Sequence, residues 1–405
     1  MASEQKYFQK GFQLKTIVGP VLAANYHSTV VERLKEYGYT AQAGDIRLRL
    51  AREFGFCYGV DRAVEYAYET REKFPDRRIF LSGEIIHNPD VNGRIEKMGI
   101  RLLADGPDPA TRYAEVQKED VVLLPAFGVT VAEMEHLRGK GCVMVDTTCG
   151  SVLNVWKNVH YYARDSFTAV IHGKYYHEET KATASQALTH PGGRFLCVRD
   201  RAETEVVCGF IRGTLSREVF VERFQAAMSP GFDPARDLER IGLANQTTML
   251  MSESMEVQEM LRAAMRDRYG DAEMPTRFRA MDTICSATQD RQDAVLRMLE
   301  TGGLDLMIVI GGYNSSNTQA LARICTEKLP TFHIKGPEGI AGPEEIRHRP
   351  VGHGSEASTM GWLPAGPLSI GLTAGASTPN NVVGEVIERL LALRGRKTDE
   401  LQPIG

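Results

Sequence analysis

Short apolar runs alternate with segments of helical period along most of the chain. The runs at 78–81, 121–124, 143–145, 167–171, 306–310 and 368–371 are rich in β-branched residues and lack polar alternation. Such runs predict parallel strands covered on both faces. Between them, residues 60–74, 131–138, 152–164, 254–269 and 381–394 carry helical patterns. The alternation predicts an α/β fold with parallel sheets. Residues 1–48 read as an extension, with a helix near 28–37 and then a loop. The stretches 200–240 and 335–365 are rich in Arg, Gly, Pro and Glu, and read as insertions or long surface loops.

One echo stands out. Asp146-Thr-Thr-Cys149 and Asp282-Thr-Ile-Cys285 share the pattern Asp-Thr-x-Cys, each ahead of a helical segment. Cys57, in Phe54-Gly-Phe-Cys-Tyr-Gly59, also lies between a strand-like run at 48–52 and a helix. A second echo places a small or Gly-rich turn after a strand, at Ala126-Phe-Gly128, His172-Gly173 and Gly311-Gly312. Three cysteines and three turns in like settings predict three related units facing one centre. The spacing is too long for a solenoid, so a pseudo-threefold arrangement is expected. The expected division is an extension at 1–48, units at 49–145 with Cys57, 146–281 with Cys149 and 282–395 with Cys285, and a tail at 396–405.

In α/β proteins the turns at the carboxyl ends of parallel strands carry the site. A single cysteine there reads first as a small buried hydrophobe, which is where free Cys usually sits. Packing gives no reason to repeat the polar flank, however. Convergent thiolates bind zinc or an iron–sulfur cluster, and three ligands leave one metal position open for substrate. Cys142, Cys197, Cys208 and Cys325 lie in apolar or mid-segment settings and read as packing.

Two further sets carry chemistry. Asn314-Ser-Ser-Asn-Thr318 follows a strand and a Gly pair and opens a helix, which offers backbone N–H groups, hydroxyls and amides to an anion. Ala374-Gly-Ala-Ser-Thr-Pro379 repeats the idea, and both also read as plain helix caps. Gln246-Thr-Thr248 and Glu84-Ile-Ile-His-Asn88 are polar clusters at the ends of apolar runs. Tyr176-His-Glu-Glu-Thr180 puts an imidazole and two carboxylates within one turn, a proton-delivery group or a solvated helix start. It is not His-Glu-x-x-His, so a zinc protease is not supported.

Composition narrows the classes. A net charge of −4 over 405 residues argues against nucleic acid held by phosphate contacts, but leaves room for a small anion. No run approaches the length of a membrane span, and the first residues are polar and contain an acid, so neither a membrane nor a targeting segment is expected. Seven cysteines without a Cys-x-x-Cys pair fit a reducing, cytoplasmic setting rather than a disulfide framework.

Taken in order, Gly55-Phe-Cys-Tyr-Gly-Val-Asp-Arg-Ala63, Glu84-Ile-Ile-His-Asn-Pro89, Asp146-Thr-Thr-Cys149, His172-Gly-Lys-Tyr-Tyr-His-Glu-Glu-Thr180, Gln246-Thr-Thr248, Asp282-Thr-Ile-Cys-Ser-Ala-Thr-Gln-Asp-Arg-Gln292, Gly311-Gly-Tyr-Asn-Ser-Ser-Asn317 and Gly375-Ala-Ser-Thr-Pro379 cover nearly the whole chain. This ordered set resembles the 4-hydroxy-3-methylbut-2-enyl diphosphate reductase family, which closes the methylerythritol phosphate route to isoprenoids. The extension and Trp362-Leu-Pro364 resemble its longer, plant- and cyanobacterium-like branch.

The resemblance implies a trefoil of three small parallel-sheet α/β units around a central [4Fe–4S] cluster. It implies Cys57, Cys149 and Cys285 as the ligands, with one iron open to substrate. It implies that His87, Ser315, Ser316, Asn317 and Ser377 hold a diphosphate. His177, Glu179 and Thr247 would surround the C4 hydroxyl, with Glu179 as the proton donor. Ferredoxin or flavodoxin would supply two electrons singly, and the products would be isopentenyl and dimethylallyl diphosphates. Two positions depart from the common pattern: Phe127 stands where many members have a diphosphate-binding His, and Gly150 where Pro is common. A Lewis-acid dehydratase on the same cluster, a non-catalytic iron–sulfur sensor and a zinc enzyme are the competing readings.

Overall fold

The computed structural model describes residues 6–106, 108–281 and 283–404. Asp282, the first residue of the second Asp-Thr-x-Cys copy, lies outside the described residues. The chain forms two compact units. The first takes the described residues up to Gln9, then Asp76–Ile85 and Gly99–Cys285. The second takes Lys10–Pro75, Ile86–Met98 and the chain from Ser286 onward.

The first unit contains two parallel sheets. One runs, in spatial order, Tyr7–Phe8, Val143–Asp146, Val121–Leu124, Ile79–Leu81 and Ile100–Leu102. The other runs Phe278–Ala280, Ile241–Asn245, Thr168–His172 and Phe195–Val198. Val121–Leu124 and Ile241–Asn245 are buried at every position. That is why their sequence runs without polar alternation. Helices Arg201–Ile211 and Arg217–Phe224, within the stretch that reads as loops, bury Val207, Phe220 and Phe224 in the second sheet's core.

The second unit is built on one six-stranded sheet, in the order Thr331–Ile334, Leu306–Ile310, Leu368–Ala374, Ile46–Leu50, Thr40–Ala43, Gln402–Pro403. The first four strands are parallel and the last two are antiparallel additions. In Ile46–Leu50 the pleat turns Ile46, Leu48 and Leu50 into the core while Arg47 and Arg49 stay partly exposed. Thr40–Ala43 replaces the loop expected after the helix near 28–37, and Gly44 makes the turn at φ 59°, a region L side chains avoid. The stretch 335–365, which also reads as loop, contains the antiparallel pair Glu345–His348 and Ala357–Met360.

The three sheets share one topology. Numbered along the chain, the strands 79–81, 100–102, 121–124 and 143–146 lie in the order second, first, third, fourth. The strands 168–172, 195–198, 241–245 and 278–280 repeat that order. In the third sheet 306–310, 331–334 and 368–374 repeat it again, and the fourth place is filled from the other end of the chain by Ile46–Leu50. Sheet membership therefore groups Cys57 with the strands at 306–374, where the sequence division places it with those at 79–124. Among the described residues no helix is long and apolar enough to cross a membrane.

Candidate functional site

The three cysteines occupy one station, built three times. Cys149 follows Val143–Asp146, and its N–H donates to the carbonyl of Ala126 at 3.0 Å, two residues past the end of the adjacent strand Val121–Leu124. Cys285 follows Phe278–Ala280, and its N–H donates to Thr247 at 3.2 Å, two past the end of Ile241–Asn245. Cys57 follows Ile46–Leu50, and its N–H donates to Ala376 at 3.2 Å, two past the end of Leu368–Ala374. Each cysteine then leads directly into a helix, at Gly150–Arg164, Ser286–Glu300 and Tyr58–Lys73.

The Asp-Thr-x-Cys repeat acquires a physical reason. Thr147 Oγ1 donates to the Leu124 carbonyl at 2.7 Å, and Thr283 Oγ1 pairs with Asn245 in the same way at 3.3 Å. Both tie the cysteine turn to the end of the neighbouring strand. Asp146 Oδ1 accepts from the Thr148 N–H at 2.9 Å, which closes the turn. Arg291, buried and not singled out by sequence, donates to the Gly55 carbonyl at 2.6 Å and so supports the Cys57 turn. Its place within the motif at 282–292 was the available signal.

Burial separates the two sets of thiols. Cys57, Cys149 and Cys285 are partly exposed, and the other four are buried. Burial pushes the Cys197 and Cys325 thiols up to about 12 and Cys208 to about 11, and raises Cys142. Those four are held as neutral thiols, as the packing reading expects.

In the first unit His177 caps the helix Glu178–Ala187, its Nδ1 accepting from the Glu179 N–H at 3.2 Å. That leaves Nε2 as the ring's proton-bearing nitrogen when neutral. The Glu179 side chain is buried and accepts from the Thr247 N–H at 2.6 Å. Gln246 fixes the same turn: its Oε1 accepts from the Lys174 N–H and the Thr180 hydroxyl, both at 3.2 Å. His177, Glu179, Thr247 and the Cys285 turn are thus joined by hydrogen bonds. Phe127 stands edge-on to His177, ring centres 5.8 Å apart. Gly150 has open space at its Cβ position, so a side chain fits there.

In the second unit the polar residues expected at the anion cradle come together from three loops. Ser315 caps the helix Ser316–Thr326, its Oγ accepting from the Thr318 N–H at 3.3 Å. Asn317 Oδ1 accepts from the Ala376 N–H at 2.9 Å, while its Nδ2 is buried with no partner among the described residues. Ser377 Oγ donates to the His87 carbonyl at 3.2 Å, and Asn88 Nδ2 donates to the Ser377 carbonyl at 2.9 Å. A Cβ on Gly312 would lie 2.5 Å from the His87 carbonyl oxygen, so only glycine lets these loops cross. His87, Ser315, Ser316, Asn317 and Ser377 are all buried or nearly so. A buried, partnerless amide donor among hydroxyls and a helix N-terminus suits an anionic oxygen.

Parallel sheets of repeated topology, each followed by a partly exposed cysteine at a helix start, define a multi-sheet α/β protein. The family model described as "LytB protein" matches residues 48–391. A Gloeobacter violaceus protein named 4-hydroxy-3-methylbut-2-enyl diphosphate reductase is 47% identical over 395 residues, covering 96% of this chain and 93% of its own length. A Synechococcus protein of the same name is 46% identical over 394 residues, covering 96% of each chain. A solved structure of (E)-4-hydroxy-3-methyl-but-2-enyl diphosphate reductase superimposes with a TM-score of 0.52 at 26% identity, covering 85% of this chain and 98% of that one. The Plasmodium falciparum reductase structure shares the fold at a TM-score of 0.63. The chain belongs to this LytB family of 4-hydroxy-3-methylbut-2-enyl diphosphate reductases.

Proposed function

We propose that the chain reduces (E)-4-hydroxy-3-methylbut-2-enyl diphosphate to isopentenyl and dimethylallyl diphosphates. It is an oxidoreductase, as its relatives' name of reductase says, and the solved relative is described as the terminal enzyme of the non-mevalonate pathway. Two electrons and two protons convert the allylic C–OH to C–H and water, and the position of the incoming proton sets which product forms. In this reading the three sheets form a trefoil in place of the divisions 49–145, 146–281 and 282–395, and each brings one cysteine: Cys149 after 143–146, Cys285 after 278–280 and Cys57 after 46–50. The supporting observation is the station repeated at Cys57, Cys149 and Cys285.

Those residues fit a [4Fe–4S] cluster. The donor set is three thiols at helix starts, partly exposed where the other four are buried. When bound, the cluster supplies Lewis acidity and electrons, with ferredoxin or flavodoxin as the one-electron donor. The remaining work falls to the protein. His87, Ser315, Ser316, Asn317 and Ser377 hold the diphosphate, with Asn317 Nδ2 as a ready donor. Glu179, fixed by the Thr247 N–H, moves a proton to the leaving hydroxyl. His177 orients that hydroxyl through Nε2, and Thr247 places a second hydroxyl beside it. Phe127 packs against His177 and adds no donor to the diphosphate. The reaction takes place in the cytoplasm.

Anaerobic incubation with substrate and a one-electron reductant tests the reading. Substrate loss should require the reductant and yield both products. Turnover without reductant favours the dehydratase; no turnover with an intact cluster favours the sensor.

A further inference from the structure

The turn Gly311–Ser315 leads into the cradle helix, and its Tyr313 is gripped from several sides. Lys335 Nζ lies 4.6 Å from the centre of the Tyr313 ring and the Arg349 guanidinium 5.0 Å. His333 stands edge-on to the same ring at 5.0 Å. The Tyr313 hydroxyl bonds Glu356, which also pairs with Lys335 at 3.2 Å. The Tyr313 backbone carbonyl accepts from Arg349 and, at 2.6 Å, from Gln319. His333 Nε2 donates to the Gly311 carbonyl at 3.0 Å. Burial holds His333 down to about 4, so the ring is neutral near pH 7 and adds no charge beside Lys335 and Arg349.

The grips have one origin. His333 and Lys335 come from the strand Thr331–Ile334 and its end, while Arg349 and Glu356 bound the loop between Glu345–His348 and Ala357–Met360. That hairpin lies in the stretch whose composition reads as an insertion. It would be free to vary if it were a plain loop, yet two of its residues close on the turn ahead of Ser315.

We propose that this hairpin is a brace: Arg349 and Glu356, with His333 and Lys335, hold Tyr313 so that the cradle turn is preorganised for the diphosphate. These are positioning residues, and the inference rests on the diphosphate reading of the cradle. Preorganisation raises affinity for the anion and leaves the later proton and electron steps alone. Loss of the brace should therefore act on KM and spare kcat.

The test uses the cluster-loaded protein, the substrate, and inorganic pyrophosphate as competing probe. Arg349→Met should raise substrate KM and pyrophosphate Ki together, about tenfold, as expected for losing a charged hydrogen bond. Its kcat should stay within about twofold of the parent. Tyr313→Leu should act in the same direction, Tyr313→Phe much less because the ring between the two cations remains. Glu356→Gln, an exposed change that leaves folding intact, should raise both constants by about two- to threefold. Unchanged KM and Ki in Arg349→Met and Glu356→Gln would overturn the brace, as would a fall confined to kcat. Asn317→Ala is the control: if it too leaves both constants unchanged, the cradle reading falls and takes the brace with it.

Discussion

The Glu179 carboxylate accepts the backbone N–H of Thr247 at 2.6 Å while itself almost fully buried. That bond holds the carboxyl at the Thr247 turn, where the proposed function has it deliver a proton. Glu179→Gln preserves the acceptor and the shape but cannot cycle a proton. It should retain the cluster and bind substrate, yet lose rate by about 10²–10⁴. The exposed neighbour Glu178 lies on the same first turn, and Glu178→Gln should cost far less. Steady-state reduction with a strong artificial one-electron donor reads both variants. Parent-like turnover by Glu179→Gln would remove it as proton donor.

Asn317 offers a substitution that separates its two atoms. Its Oδ1 ties down Ala376, and its Nδ2 is the donor that has no partner among the described residues. Asn317→Asp keeps the tie and replaces the donor with negative charge. Substrate KM should rise by more than about tenfold, the cost of setting like charges together in a buried site. The absorption spectrum of substrate-free protein should not change. A spectral change without a KM change would make Asn317 structural.

Two buried imidazoles set an acid limit on stability. Burial lowers both His172 and His333 to about 4 in the folded chain. In the unfolded chain each titrates near its ordinary value of about 6.5. Between those values the unfolded state binds more protons, so stability falls as pH drops from about 6.5 towards 4. Above that window these groups contribute no slope. Urea unfolding at a series of pH values should show the decline, and His172→Asn should flatten it. Equal slopes in parent and variant would contradict the assignment.

The strands at 121–124 and 306–310 are legible in sequence because both faces are covered, and coverage removes polar alternation. Ile46–Leu50 is harder to read, since Arg47 and Arg49 alternate with its core residues. Glu345–His348 and Ala357–Met360 carry so few apolar residues that no run marks them. The pairing of Ile46–Leu50 with Leu368–Ala374 joins opposite ends of the chain, and no local pattern encodes such a partner. The site was more legible than the sheet. Asp-Thr-x-Cys showed in sequence because side chains build that turn at Cys149 and Cys285, with Thr147 and Thr283 tied to the neighbouring strand. Cys57 reaches the same backbone station through Gly55 and Arg291, which leave no matching motif.

The equivalence of the three cysteine stations is what the functional account depends on. Its most direct test is iron content and visible absorption of anaerobically purified Cys57→Ala, Cys149→Ala and Cys285→Ala, beside Cys142→Ala and Cys325→Ala. The account predicts that each of the first three loses the brown chromophore or holds it only briefly, while the last two keep parent iron and spectrum. Normal, stable iron in any one of the first three would contradict it.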